Sequence, residues 1–128
     1  MRRLAMIGLL LAVAACVSPE PLGRKYLVFF PDWSAQLDDA GKTTIGQAAS
    51  QAKAAPAASV LVAGFATPEG TLEANRDMSR LRAQVVTDAL IEAGIPRSRI
   101  ALRARGPVGF MDSAQESRRV EVSVGTPQ

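Results

Sequence analysis

Hydrophobic residues fall along the chain in three kinds of pattern. Leu4 to Ala14 is an unbroken run of apolar or small residues. Lys25 to Phe30 (KYLVFF) and Ser59 to Phe65 (SVLVAGF) are short runs of mostly β-branched, aromatic and small residues. Such runs read as strands, and the continuous apolar character of the first predicts burial on both faces. Two later segments alternate instead. Arg99 to Arg105 puts Ile100, Leu102 and Ala104 on one face and Arg103 and Arg105 on the other, and Arg118 to Val124 aligns Val120, Val122 and Val124.

Helical spacing fills the intervals. Asp38 can cap a helix running to about Ala54, with Ile45, Ala48, Ala49 and Ala52 as a thin face of mostly small residues, closed by Pro56. Thr71 can cap a second helix, with Glu73 in its first turn, Gly94 at the C′ position and Pro96 beyond. At about 100° per residue, Met78, Leu81, Val85 and Ala89 form its core-facing stripe. Arg76, Asp77, Arg80, Gln84 and Asp88 fall outside that stripe. The order is β-α-β-α-β-loop-β, with GPVGFMDSAQES as the loop. The predicted class is α/β, an α+β sandwich with right-handed crossovers and two helices on one face of a small mixed four-stranded sheet.

The chain has 128 residues, enough for one domain. Its apolar N-terminal run is shorter than the about 20 residues a spanning helix needs, and suits the h-region of an export signal behind Arg2 and Arg3. Val13-Ala14-Ala15-Cys16 resembles a bacterial lipobox, so that 1–16 reads as a lipoprotein signal ending at Cys16. The resemblance implies cleavage before that cysteine, which is acylated, palmitate included, and becomes the new N-terminus. Two or more acyl chains give stable membrane attachment. Residues 17–24 (VSPEPLGR) read as a tether, and 25–128 as the folded domain. Val17 stands where an aspartate would favour inner-membrane retention, so the expected location is the periplasmic face of the outer membrane.

Charge and composition then exclude chemistry. Without Arg2 and Arg3 the formal net charge of +3 falls to about +1, too little to point to nucleic acid. There is no histidine, and Cys16 is the only cysteine. No intrachain disulfide, multi-cysteine metal site or histidine base can form, and no paired-acid spacing singles out carboxylates such as Asp32 and Glu69. The expectation is a non-enzymatic protein without cofactor or metal.

Two polar residues on the second helix sit badly with a solvated role. Asn75 and Arg82 project within about 20° of each other at the border of the apolar stripe, beside Val86. A guanidinium there needs a carboxylate or several acceptors, because it cannot shed its charge. Either an internal acid answers it (Glu69, Asp32 or Glu121), or Arg82 is a fork for a ligand carboxylate near the helix N-terminus at Thr71.

The helix segment NRDMSRLRAQVV, from Asn75 to Val86, resembles the N-x-x-L-S-x-x-R-A-x-x-V motif of OmpA-like domains, the peptidoglycan-binding family of the OmpA, Pal and MotB C-terminal regions. YLVFFPDWSAQL, VAGFATPEG, AGIPRSRI and RRVEV match the family's other segments in order, from Tyr26 to Val124. The resemblance implies binding of the peptidoglycan stem peptide through diaminopimelate. In the family, an aspartate after the second strand and the helix arginine hold the charged ends of that residue. By position these are Thr67 and Arg82, with Asn75 as the motif asparagine and Phe65 at a histidine position. The family's asparagine-arginine-arginine becomes Ser117-Arg118-Arg119, and the preceding glycine-arginine becomes Ser113-Ala114. A neutral Thr67 cannot pair with an ammonium as a carboxylate does, unless Glu69 supplies the charge. The implied role is a lipoprotein joining membrane to wall. The alternative is a scaffold that has lost the wall ligand and binds an envelope protein, with Phe65 and Phe110 as an apolar contact.

Overall fold

The computed structural model describes residues 22–107 and 114–125. Cys16, the proposed signal, most of the tether, Phe110 and Ser113 lie outside them. Strand β1 (Lys25–Phe29) is followed by helix α1 (Asp39–Ala54), β2 (Val60–Ala66), α2 (Leu72–Glu92), β3 (Ile100–Pro107), a single helical turn α3 (Ala114–Ser117) and β4 (Arg119–Val124). The sheet order is β1-β4-β2-β3, with β4 antiparallel to both its neighbours and β2 parallel to β3. The expected mixed four-stranded sheet with two packed helices is therefore the observed fold.

The local causes are those the side chains suggest. Asp38 accepts from the Gly41 N–H at 2.7 Å, and Thr71 from the Ala74 N–H at 3.1 Å, so each hydroxyl or carboxylate satisfies an orphan donor at a helix start. After α2, Gly94 adopts φ +100° and its N–H bonds the Ile91 carbonyl, closing the C-terminus. Val28, Val60, Val62, Val120, Val122 and Val124 are wholly buried against Ile45, Ala48, Ala52, Ala83, Val86 and Leu90. The thin face of α1 lets that helix lie low on the sheet, as expected.

Helix α2 approaches the backbone of β2 closely. A Cβ at Gly64 would come within 2.0 Å of the Ser79 carbonyl oxygen, so only glycine permits this contact between helix backbone and sheet. Just beyond it, the β2–β3 register slips between Gly64 and Phe65, leaving Arg105 as the extra residue of a bulge. The Gly106 N–H, at φ +71°, donates to the Ser79 hydroxyl at 3.1 Å, and that hydroxyl donates to the Arg76 carbonyl at 2.8 Å.

Two expectations are corrected. β1 is an edge strand paired only with β4, and alternates between exposed and buried positions, with Leu27 40% exposed. Its apolar sequence had suggested two covered faces; in this mixed sheet the helices cover one. The face of α2 is also rotated from the expected stripe. Leu81 is 51% exposed, and Met78, Val85 and Ala89 are only partly buried. The buried residues are Asn75, Ser79, Arg82, Ala83, Val86, Thr87 and Leu90. Four polar residues occupy that face because local backbone and loop carbonyls answer several of their polar groups, which hydrophobicity along the helix cannot register.

Candidate functional site

The carboxyl ends of β1 and β2 lie at one end of the sheet, where the β1–α1 loop meets the β2–α2 turn. The meeting point is an indole on a glycine: the Trp33 ring packs where a Cβ on Gly70 would stand 3.2 Å from its Cη2 atom. Trp33 holds φ +47°, the only described non-glycine residue with positive φ. Asn75 fixes the turn from beneath, its Nδ2 donating to the Glu69 carbonyl at 2.6 Å and the Thr71 carbonyl at 2.9 Å. It is 2% exposed. Asn75 shapes the turn and the helix entry.

Arg82 enters from α2 and is 1% exposed, the largest of the fully buried side chains. Its Nε donates to the Ser34 carbonyl at 2.8 Å, Nη2 to the Pro31 carbonyl at 3.0 Å, and Nη1 to the Phe65 carbonyl at 3.4 Å. The guanidinium also lies 5.6 Å from the centre of the Phe30 ring. Carbonyls answer this residue, and no carboxylate pairs with it among the described residues. That corrects the expected internal acid: Glu121 pairs with Lys25 at 3.3 Å and Arg119 at 3.2 Å on the other face of the sheet, and Asp32 and Glu69 make no ion pair with Arg82. A guanidinium has five N–H groups, so three carbonyl bonds leave two for another acceptor.

Electrostatics agree with that geometry. Burial pushes the Arg82 guanidinium below the ordinary arginine range, the like charge of Arg118 pushes the same way, and Asp32 pulls back. Arg118 reaches the same segment, donating from Nε to the Phe30 carbonyl at 3.1 Å, while its own carbonyl accepts from the Phe30 N–H at 2.9 Å. Two guanidiniums thus grip residues 30–34, and neither forms an ion pair with a carboxylate among the described residues. The resemblance had placed Arg118 at an arginine of a family motif; its position just before β4, opposite the end of β1, brings it here.

The remaining candidates divide. Thr67 is 7% exposed at the end of β2 and offers no charge. Glu69 is exposed, and it is its main-chain oxygen that serves the turn. Phe65 is half-buried with the Arg119 guanidinium 4.3 Å from its ring centre, so it is already covered. At the opposite end of the sheet a shallow hollow of about 470 Å³ is lined by Leu22, Ala55, Pro56, Ala57, Ala58, Ser59 and Gly125. It contains no charged side chain and lies away from Arg82.

The model of the OmpA family matches residues 29–122. A probable lipoprotein of Escherichia coli K12, YiaD, is 33% identical over 103 residues, covering 76% of this chain and 47% of the relative. The chain thus spans about half the length of that curated relative. Among solved structures, the OmpA-like domain of FopA1 from Francisella tularensis aligns with TM-score 0.72 and 26% identity, over 80% of this chain and 72% of that one. The peptidoglycan-associated lipoprotein of Burkholderia pseudomallei aligns with TM-score 0.69 and 24% identity, over 77% and 89%. The latter likeness is one of fold.

Proposed function

The chain belongs to the OmpA family, and on that premise we propose that it is a non-catalytic envelope lipoprotein whose domain binds peptidoglycan while acyl chains on Cys16 hold the outer membrane. The observation that carries the ligand half is Arg82, a buried cation answered by carbonyls alone. Taking a charge out of water costs several kcal/mol even after relaxation. Neutral carbonyls offset part of that, and a ligand carboxylate would offset more, because a charge-assisted bond is about twice as strong as a neutral one. The diaminopimelate of a stem peptide offers such a carboxylate. At 1% exposure Arg82 meets it through the N–H groups that its three carbonyl bonds leave over, once the covering side chains move aside and with the 30–34 segment still held. Asn75 supports the site by holding the turn. Thr67 and Glu69 line its approach, with Thr67 lowering affinity by about ten- to a hundredfold relative to a carboxylate at that position.

The named relatives support the envelope setting: one is called a probable lipoprotein and one a peptidoglycan-associated lipoprotein. Sedimentation of the purified protein with isolated sacculi is the direct test. The expected result is co-sedimentation of the unsubstituted protein, and sharply reduced co-sedimentation of Arg82→Lys, which keeps charge but loses the planar fork. Protein left wholly in the supernatant would refute wall binding.

The burial of Arg82 also favours a second reading. If its guanidinium serves only to staple the β1–α1 loop, the domain is a scaffold that binds another envelope protein. Crosslinking in intact envelopes would then return a protein partner with equal yield from the Arg82→Lys form.

A further inference from the structure

We infer that Asp32, on the β1–α1 loop, is the acid that receives the ligand's ammonium group in this chain, in place of the neutral Thr67. The assignment rests on the wall-binding reading above and adds to it the residue that sets ligand selectivity. Asp32 sits inside a segment fastened on both sides. Arg82 takes the carbonyls of Pro31 and Ser34, and Arg118 takes that of Phe30. Such fastening holds the backbone on either side of Asp32, from which its carboxylate projects, before any ligand arrives, and preorganisation lowers the cost of binding.

The carboxylate itself is uncommitted. Asp32 is exposed, and the ion pairs among the described residues do not include it. Its charge nevertheless acts on Arg82, opposing the effects of burial and Arg118. Opposite charges on one short loop and the helix beneath it suit a zwitterionic amino-acid end. The carboxylate of such a ligand would accept from the free N–H groups of Arg82 and Arg118, and its ammonium would donate to Asp32.

Trp33 gives a third reason. A bulky residue with positive φ is held against its own preference, and such strain persists where the surroundings over-determine it. Here it sets a half-exposed indole, 51% accessible, next to Asp32 and against the Gly70 turn. The ring offers an apolar surface for the methylene chain between the ligand's charged ends.

The test uses the purified mature protein and two free ligands, diaminopimelate and pimelate, which keeps both carboxylates and lacks both ammonium groups. Titration calorimetry should show the unsubstituted protein preferring the diamino ligand by about tenfold or more. Asp32→Asn should lose that preference by weakening the diamino ligand alone. Asp32→Glu should keep it, and Asp77→Asn, an equal charge change on the outer face of α2, should leave both affinities unchanged. A folded Asp32→Asn protein that still prefers the diamino ligand would overturn the assignment and leave the wall reading intact. Binding of neither ligand by the unsubstituted protein would overturn both.

Discussion

Arg82 and Arg99 stand at opposite ends of the sheet and do superficially the same thing. Each donates only to backbone carbonyls. Arg99 places Nη2 2.9 Å from the Ala52 and Ala55 oxygens and 2.7 Å from that of Ala58, with Nε 3.1 Å from Ala58. Ala52 lies in the last turn of α1, whose unpaired carbonyls carry the negative end of the helix dipole. Arg99 therefore completes a helix terminus with a charge of the right sign, and is half-exposed to water as well. Arg82 is sealed in, faces the carbonyls of a loop and a strand end, and has Arg118 beside it. Counting hydrogen bonds would rank the two alike. Charge compensation separates them: Arg99 meets the negative end of a helix dipole and water, whereas Arg82 meets neutral carbonyls alone, with a like charge beside it.

The largest effect that would probe this contrast is Arg82→Ala. It leaves three carbonyls without their donor and a void where the largest fully buried side chain stood, so unfolding free energy should fall by about 3–5 kcal/mol in a urea melt. Arg99→Ala should cost less, about 1–2 kcal/mol, since water can reach part of that site. Sacculus binding should survive Arg99→Ala wherever the protein stays folded. Equal loss of binding in Arg99→Ala and Arg82→Lys would collapse the distinction between the two arginines.

The smallest expected effect is that of pH. Burial lowers the Arg82 pKa, so its folded value lies below its unfolded one. The resulting penalty is in force at every pH below the folded value. It is relieved only as pH rises through the folded value towards the unfolded one, in strongly alkaline solution. With no histidine in the chain, melting temperature should stay flat from about pH 6 to about pH 9. A marked slope there would show that another group governs the charge balance of the site.

Reading the sequence alone was most informative where one rule acts locally. Asp38, Thr71 and Gly94 mark helix ends because capping geometry involves only neighbouring residues, and all three take the expected places. Alternation along β3 and β4 sorted Arg103 and Arg105 from Val120, Val122 and Val124 for the same reason. The arginine helix was legible by its resemblance to a family. The orientation of that helix was not. Met78 and Leu81 look like core residues by hydrophobicity, yet Asn75, Ser79 and Arg82 are the buried ones.

By itself, then, the sequence determined the order of elements, the caps, the inward faces of the later strands and the family. Only the tertiary structure decided which face of α2 is buried, which carbonyls meet Arg82, and that Arg118, Asp32 and Trp33 share its end of the sheet. The reason is physical. Caps and alternation are set within a few residues, whereas the partners of a buried charge come from segments 17 to 51 positions away. A polar residue becomes a core residue only when the fold brings it acceptors.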